Sequence, residues 1–116
     1  MYLFIGGVMK IAIIGSRSIK EIDIKKYVDG ADEIVSGGAA GIDSLAADYA
    51  NRKGIKLVEF LPEYNKYGRA APIIRNKEIV NYADKVIAFW DGKSKGTEFT
   101  IKYAKSINKE CTVIIV

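Results

Sequence analysis

Four short stretches of this chain carry side chains and bare backbone suited to gripping an anion. Gly15-Ser16-Arg17 combines a residue that permits a tight turn, a hydroxyl, and a guanidinium able to fork onto a phosphate or carboxylate. Ser36-Gly37-Gly38-Ala39-Ala40-Gly41-Ile42-Asp43 leaves main-chain N–H groups uncovered just ahead of a helical pattern, whose dipole favours negative charge. Its small side chains would also let a flat ring approach the backbone. Asp43 reads either as a partner for a ribose hydroxyl or as compensation for first-turn N–H groups. Arg75 is a clamp for a phosphate or acid, or else a solvated surface residue. Asn76 shares a helical face with Ile79, Val80 and Ala83, so an amide stands where an apolar residue is expected and needs partners. In Trp90-Asp91-Gly92-Lys93-Ser94-Lys95-Gly96-Thr97, Gly96-Thr97 opens a helix and repeats the anion cradle, with Lys93 and Lys95 adding charge. Trp90 is a stacking wall or a core residue at a strand end. Expected ligand contacts from the first two stretches are Gly15, Ser16, Arg17, Gly37, Gly38, Ala39, Gly41 and Asp43. The later stretches add Arg75, Asn76, Asp91, Ser94, Gly96 and Thr97.

Composition limits the chemistry further. The chain has no His among its 116 residues. That removes the usual general base, Ser-His and Cys-His nucleophile pairs, and His-ligated metal sites. Gly92-x-Ser94-x-Gly96 matches a nucleophile elbow in form, but no triad can be completed. The 36–43 loop is neither a dinucleotide fingerprint nor a Walker A loop. No catalytic residue is assigned, and no cofactor or metal is expected. With 18 Lys+Arg against 14 Asp+Glu, the net charge of +4 favours anionic partners modestly. Cys111 is the one cysteine, so a reducing compartment is expected. Tyr2–Ile5 is apolar but lacks the flanks of a secretory leader, and no apolar run reaches a membrane span. A cytoplasmic protein without membrane contact follows as the expectation.

The length fits one domain over residues 1–116, with residues 1–9 as an extension or an extra edge strand and Met9 as an alternative start. Short apolar runs at Lys10–Gly15, Glu33–Ser36, Lys56–Leu61, Lys85–Trp90 and Cys111–Val116 predict five strands. Between the first two, Ser18 and Glu21 fit a capping box, and Ile24, Tyr27 and Val28 predict a helix closing at Gly30. Ile42, Leu45, Ala46, Tyr49 and Ala50 form the stripe of a second helix ending at Gly54. A third runs from about Pro72 to Ala83 after an irregular stretch from Pro62 to Ala71, and Ile101, Ala104 and Ile107 mark the last. Strands alternating with helices predict an α/β, Rossmann-like three-layer sandwich with a five-stranded parallel sheet in the order 3-2-1-4-5. Every unusual loop then falls at the C-terminal ends of the strands, where such sheets take ligands.

GSR after the first strand, SGGAAGID after the second, IRN opening the third helix and FWDGKSKGT after the fourth together resemble the SLOG superfamily. This is a Rossmann-like group that includes YspA/YpsA-related proteins, DprA/Smf and the LONELY GUY phosphoribohydrolases. The resemblance runs from Lys10 to Val116 and best matches the small YspA-type members. It implies a site for a nucleotide or nucleotide-derived small molecule, as sensor or enzyme, with no settled reaction. DprA-like proteins share GSR, SG-x-A-x-G-I-D and a basic RN segment, which implies single-stranded DNA as an alternative partner. Their pattern has a His where this chain has Ala47. For that role Arg17, Arg69, Arg75, Lys77, Lys93 and Lys95 would track phosphates, with Tyr64, Tyr67 or Trp90 stacking bases. Resemblance to LONELY GUY enzymes implies hydrolysis of nucleoside 5′-monophosphates, for which Asp43, Asp91 and Glu98 are the candidate carboxylates, none at that family's motif position. Their proline-glycine-glycine motif reads Gly92-Lys93-Ser94 here, and Phe99 stands where their acid is expected. Tyr2–Ile5 and outer helix faces would suit a homo-oligomer.

Overall fold

The computed structural model describes residues 8–28 and 30–116. Residues 1–7 lie outside the described residues, and with them the expected terminal extension and the apolar Tyr2–Ile5.

Five β-strands, β1 (Lys10–Gly15), β2 (Glu33–Ser36), β3 (Lys56–Glu59), β4 (Lys85–Trp90) and β5 (Glu110–Ile115), form one sheet. All pairings are parallel, and the order is β3-β2-β1-β4-β5, as the alternation of periods predicts. Among the described residues four α-helices accompany them: α1 (Ile42–Lys53), α2 (Tyr64–Tyr67), α3 (Ala71–Tyr82) and α4 (Lys95–Ser106). The chain is a Rossmann-like three-layer sandwich. No helix among the described residues is long and apolar enough to cross a membrane.

Alternation along the central strands divides the core. Ile11 and Ile13 of β1 and Ile87 and Phe89 of β4 face α1, meeting Ile42, Ala46, Tyr49 and Ala50. Ala12 and Ile14 of β1 and Val86 and Ala88 of β4 face α3 and α4, meeting Ile79, Val80, Ile101 and Ala104. Both strands are buried on both faces, which is why they read as unbroken apolar runs rather than alternating ones.

Five local expectations need correction. The stretch from Pro62 to Ala71 is not irregular, since it holds α2 and a 3₁₀ turn at Gly68–Ala70. The first crossover is a single 3₁₀ turn, Ile24–Lys26, not a helix reaching Gly30. Ser18 caps nothing there, because its hydroxyl donates to Asp91 Oδ2 (2.8 Å) across the sheet. Ile24 and Val28 are buried all the same, so one turn and extended chain suffice to cover that edge of the core. Strand β3 ends at Glu59 rather than Leu61. Phe60 N still donates to Ser36 O (2.9 Å), but Leu61, just before Pro62, points outward and is exposed. Strand β5 starts one residue early, at Glu110. The buried stripe of α4 is Thr97, Thr100, Ile101 and Ala104, and Ile107 lies beyond the helix end and exposed.

Candidate functional site

The strands deliver their loops to one edge, and residues from all four stretches meet around one space. Ser16 Oγ accepts from Asp91 N (3.2 Å), and Ser16 N donates to Phe89 O (3.1 Å). Asp91 Oδ2 takes the Ser18 hydroxyl, while its Oδ1 accepts from Lys93 N and Ser94 N, both at 2.8 Å. These bonds latch the β1 loop to the β4 loop. The open space is displaced toward the α3 and α4 side of the sheet. There a cavity of about 120 Å³ is walled by Ile14, Gly15, Arg17, Gly37, Ala39 and Asp43 from the β1 end and the β2–α1 segment. Pro72, Arg75, Asn76 and Ile79 of α3, and Ser94, Gly96, Thr97 and Thr100 at the start of α4, complete it.

Ten of the expected contact residues line this cavity: Gly15, Arg17, Gly37, Ala39, Asp43, Arg75, Asn76, Ser94, Gly96 and Thr97. Ser16, Gly38, Gly41 and Asp91 do not. Ser16 and Asp91 form the latch. Gly38 turns at φ +71° beneath Leu61, and Gly41 packs on the Arg17 backbone. Glu98 also stays outside, facing Lys95 and Lys102 at 3.9 and 3.6 Å. Of the carboxylates weighed for glycosidic hydrolysis, only Asp43 reaches the cavity. Trp90 is half-buried and donates its indole N–H to Ser94 O (3.0 Å), so it braces the β4–α4 turn. Ile14, Pro72, Ile79 and Thr100 were not expected in the lining. Thr100 follows Thr97 by three residues on one helix face, a spacing that signals it in retrospect.

The floor is built on Arg75. Helix α3 buries Ala71, Arg75, Ile79 and Val80, and Ala83 is buried just past its end, so the expected stripe faces inward, with Arg75 as its buried polar residue and Asn76 only half-buried beside it. Arg75 Nη1 donates to Gly37 O and to Phe60 O (3.2 Å), and Nε donates to Asn76 Oδ1 (2.8 Å). The guanidinium therefore ties α3 to the ends of β2 and β3, and the Asn76 amide finds its partner in the neighbouring side chain. Its Nη2 donates to no described residue, yet none of the buried side-chain nitrogens or oxygens lacks a partner. Nη2 is therefore not sealed off, and Arg75 lines the cavity. Burial lowers the Arg75 guanidinium from its ordinary value, Asp43 and Tyr64 oppose this, and the like charge of Arg17 adds to it. It stays protonated, as arginine does in proteins.

Asp43, in the first turn of α1, accepts from Ala39 N (3.1 Å) through Oδ2. Burial raises its carboxyl above the ordinary value, against the pull of the Ala39 N–H, Arg75 and the Ser36 hydroxyl, while Glu59 raises it further. Ser94 Oγ accepts from Thr97 N (3.3 Å) and meets Thr97 Oγ1 (3.1 Å), which caps α4 where it borders the cavity. Two guanidinium groups, a capped helix start and a single acid thus surround one small space. It can hold an anion.

The two carboxylates give opposite pH signatures. Asp91 is held well below the ordinary range, first by the Ser94 and Lys93 N–H groups and then by the Ser18 hydroxyl. Its stabilisation is therefore present above the unfolded value of about 3.9 and disappears as pH falls through the depressed folded value. Asp43 binds its proton more tightly folded than unfolded, so it removes stability as pH rises from about 3.9 to its raised folded value. Melting temperatures across pH should show the Asp91→Asn deficit vanishing in acid. The Asp43→Asn difference from wild type should shift in favour of the variant with rising pH, then level off. Differences that stay constant with pH would show both environments to be misassigned.

A family model described as YAcAr, the YspA, cpYpsA-related SLOG family, matches residues 9–67. That span runs from the residue before β1 through α2 and includes Arg17, the 36–43 loop and Asp43. No curated protein matches the chain. Among solved structures, the fold is similar to DNA processing protein A from Helicobacter pylori, a structure described for its mode of binding single-stranded DNA. The TM-score is 0.68 at 23% identity, covering 90% of this chain. This chain spans 64% of that one. At such identity the likeness is one of fold.

Proposed function

This chain belongs to the YspA, cpYpsA-related SLOG family, and on that premise we propose that it binds a nucleotide or nucleotide-derived phosphorylated ligand in the cavity at the C-terminal edge of the sheet. The observation that carries this reading is the convergence of Arg17 and Arg75 on one cavity beside the glycine-bearing 36–43 loop. A phosphate there would meet a free guanidinium edge at Arg75 and a second, exposed guanidinium at Arg17. Such charge-assisted bonds are the strong ones. At about 120 Å³ the enclosed space is below the roughly 300 Å³ at which pockets for drug-sized ligands begin. Phosphate and sugar would be enclosed, with the base toward the rim.

The test is thermal stabilisation by a nucleotide panel that includes cyclic nucleotides, nicotinamide dinucleotide and ADP-ribose. A ligand at a hundred times its Kd stabilises by about 2.7 kcal/mol, worth roughly 10 °C in a domain of this size. Arg17→Ala, at an exposed side chain, should keep the unliganded Tm and abolish the shift. No shift across the panel would overturn the reading.

Single-stranded DNA is the second reading, favoured by the fold shared with DNA processing protein A. Exposed Tyr64 opens α2 in the connection after β3, whose residue Phe60 accepts from Arg75 through its carbonyl, and would offer a base a stacking face. An oligonucleotide arm in the same experiment separates the two. DNA binding must weaken steeply with salt, because several counterions are released. A mononucleotide response changes little.

A further inference from the structure

We propose that Asp43 selects a ribose phosphate over its 2-deoxy analogue, so that the cavity takes ribonucleotide rather than deoxyribonucleotide chemistry. This rests on the phosphate reading above and sharpens it.

The cavity has two chemically opposite sides that attract each other without closing into an ion pair. Among the described residues the ion pairs are Arg52–Asp48, Lys56–Glu33 and those of Glu98 with Lys95 and Lys102, so Asp43 and Arg75 form none. What stands between them is the missing side chain of Gly37. A Cβ there would lie 2.5 Å from Arg75 Nη1 and 3.0 Å from Asp43 Oδ2. The bare α-carbon therefore keeps a donor group and an acceptor group side by side on one wall, each open to a ligand. Arg75 Nη2 offers N–H donors to an anion. Asp43, bonded by the Ala39 N–H at Oδ2 and influenced by the Ser36 hydroxyl, is acceptor-only when ionised.

A second anionic oxygen is repelled by Asp43, whereas a neutral hydroxyl donates to it. A molecule that satisfies both groups carries phosphate and hydroxyl a few bonds apart, which is the arrangement in a ribose phosphate. An acidic residue holds the ribose hydroxyl by the same chemistry in dinucleotide folds. The small enclosed volume favours a contact to the sugar rather than to a base. Removing the 2-hydroxyl leaves a partly desolvated carboxylate without a donor, and sites built to bond a hydroxyl discriminate strongly against analogues that lack it.

The experiment is calorimetric titration of the full chain with inorganic phosphate, ribose 5-phosphate and 2-deoxyribose 5-phosphate. Wild-type protein should bind ribose 5-phosphate about tenfold or more tightly than the deoxy sugar. Asp43→Ala should bind the two sugar phosphates alike, and inorganic phosphate at least as tightly as wild type does. Should Asp43→Ala fold poorly, the wild-type comparison alone decides. Equal affinity of wild type for the two sugars overturns the ribose assignment and leaves the phosphate reading standing. Failure of all three compounds to bind overturns both.

Discussion

Arg75→Met is expected to lower the melting temperature by about 12 °C or more and to abolish nucleotide stabilisation. Arg75 is only 7% exposed, and three of its donor bonds end on Gly37 O, Phe60 O and Asn76 Oδ1. Methionine fills much of the volume but leaves two main-chain carbonyls and an amide without donors, and Asp43 without its nearest cation. Stripping one partner from a buried, hydrogen-bonded charge costs about 3–5 kcal/mol. Roughly 4 °C per kcal/mol applies to a chain of this length. Arg75→Lys keeps the charge but not the fork, and it should recover less than half of the loss. Thermal melts of the three proteins, with and without ligand, check this. A loss of less than about 4 °C for Arg75→Met would mean that α3 and the ends of β2 and β3 are held together by other contacts.

Gly41→Ala is expected to be nearly as damaging, although Gly41 itself does not line the cavity. Gly41 precedes α1 at φ 71° and ψ −125°, a backbone state that L side chains rarely adopt. A Cβ there would stand 2.5 Å from Arg17 O and 2.7 Å from the Arg17 carbonyl carbon and Cα, and backbone cannot swing aside. Relief requires the β1 loop and the start of α1 to separate, at about 3 kcal/mol. Arg17 and Asp43 would move apart with them. Gly54→Ala is the control. It also has positive φ (67°), but nothing lies within 4 Å of its Cβ position. Only the conformational term of about 1 kcal/mol remains there. If the two variants melt together, the close approach of Gly41 to Arg17 is not a structural constraint.

These two residues mark where local reading succeeds and where it stops. The 36–43 loop announces itself through glycine, because only glycine permits the turn at Gly41 and the bare wall at Gly37. Arg75 is visible as an arginine at a helix start, but not as a buried one. Its burial depends on two carbonyls, at Gly37 and Phe60, that come from other strands. Asp91 illustrates the converse. A carboxylate in a lysine- and serine-rich loop at the right edge looks like a ligand contact. Yet its nearest donors are Lys93 N, Ser94 N and the Ser18 hydroxyl, and these complete a latch instead. The helix expected before Gly30 failed for a related reason. A three-residue periodicity over few residues cannot distinguish a helix from a single 3₁₀ turn between extended segments.

By itself the sequence determined the five strands, their parallel order and the edge at which the unusual loops gather. Each of these follows from short-range patterns: apolar runs of strand length, stripes at helical spacing, and the handedness of crossovers. It also determined that histidine chemistry is absent. Only the tertiary structure decided which of those loops share a space. Ser16, Ser18 and Asp91 join the β1 and β4 loops by bonds between residues more than seventy positions apart. The open cavity then falls on the α3 and α4 side, with Arg75 as its floor and Asp43 as its one acid. Such contacts depend on how whole elements pack, and no window of neighbouring residues contains that information.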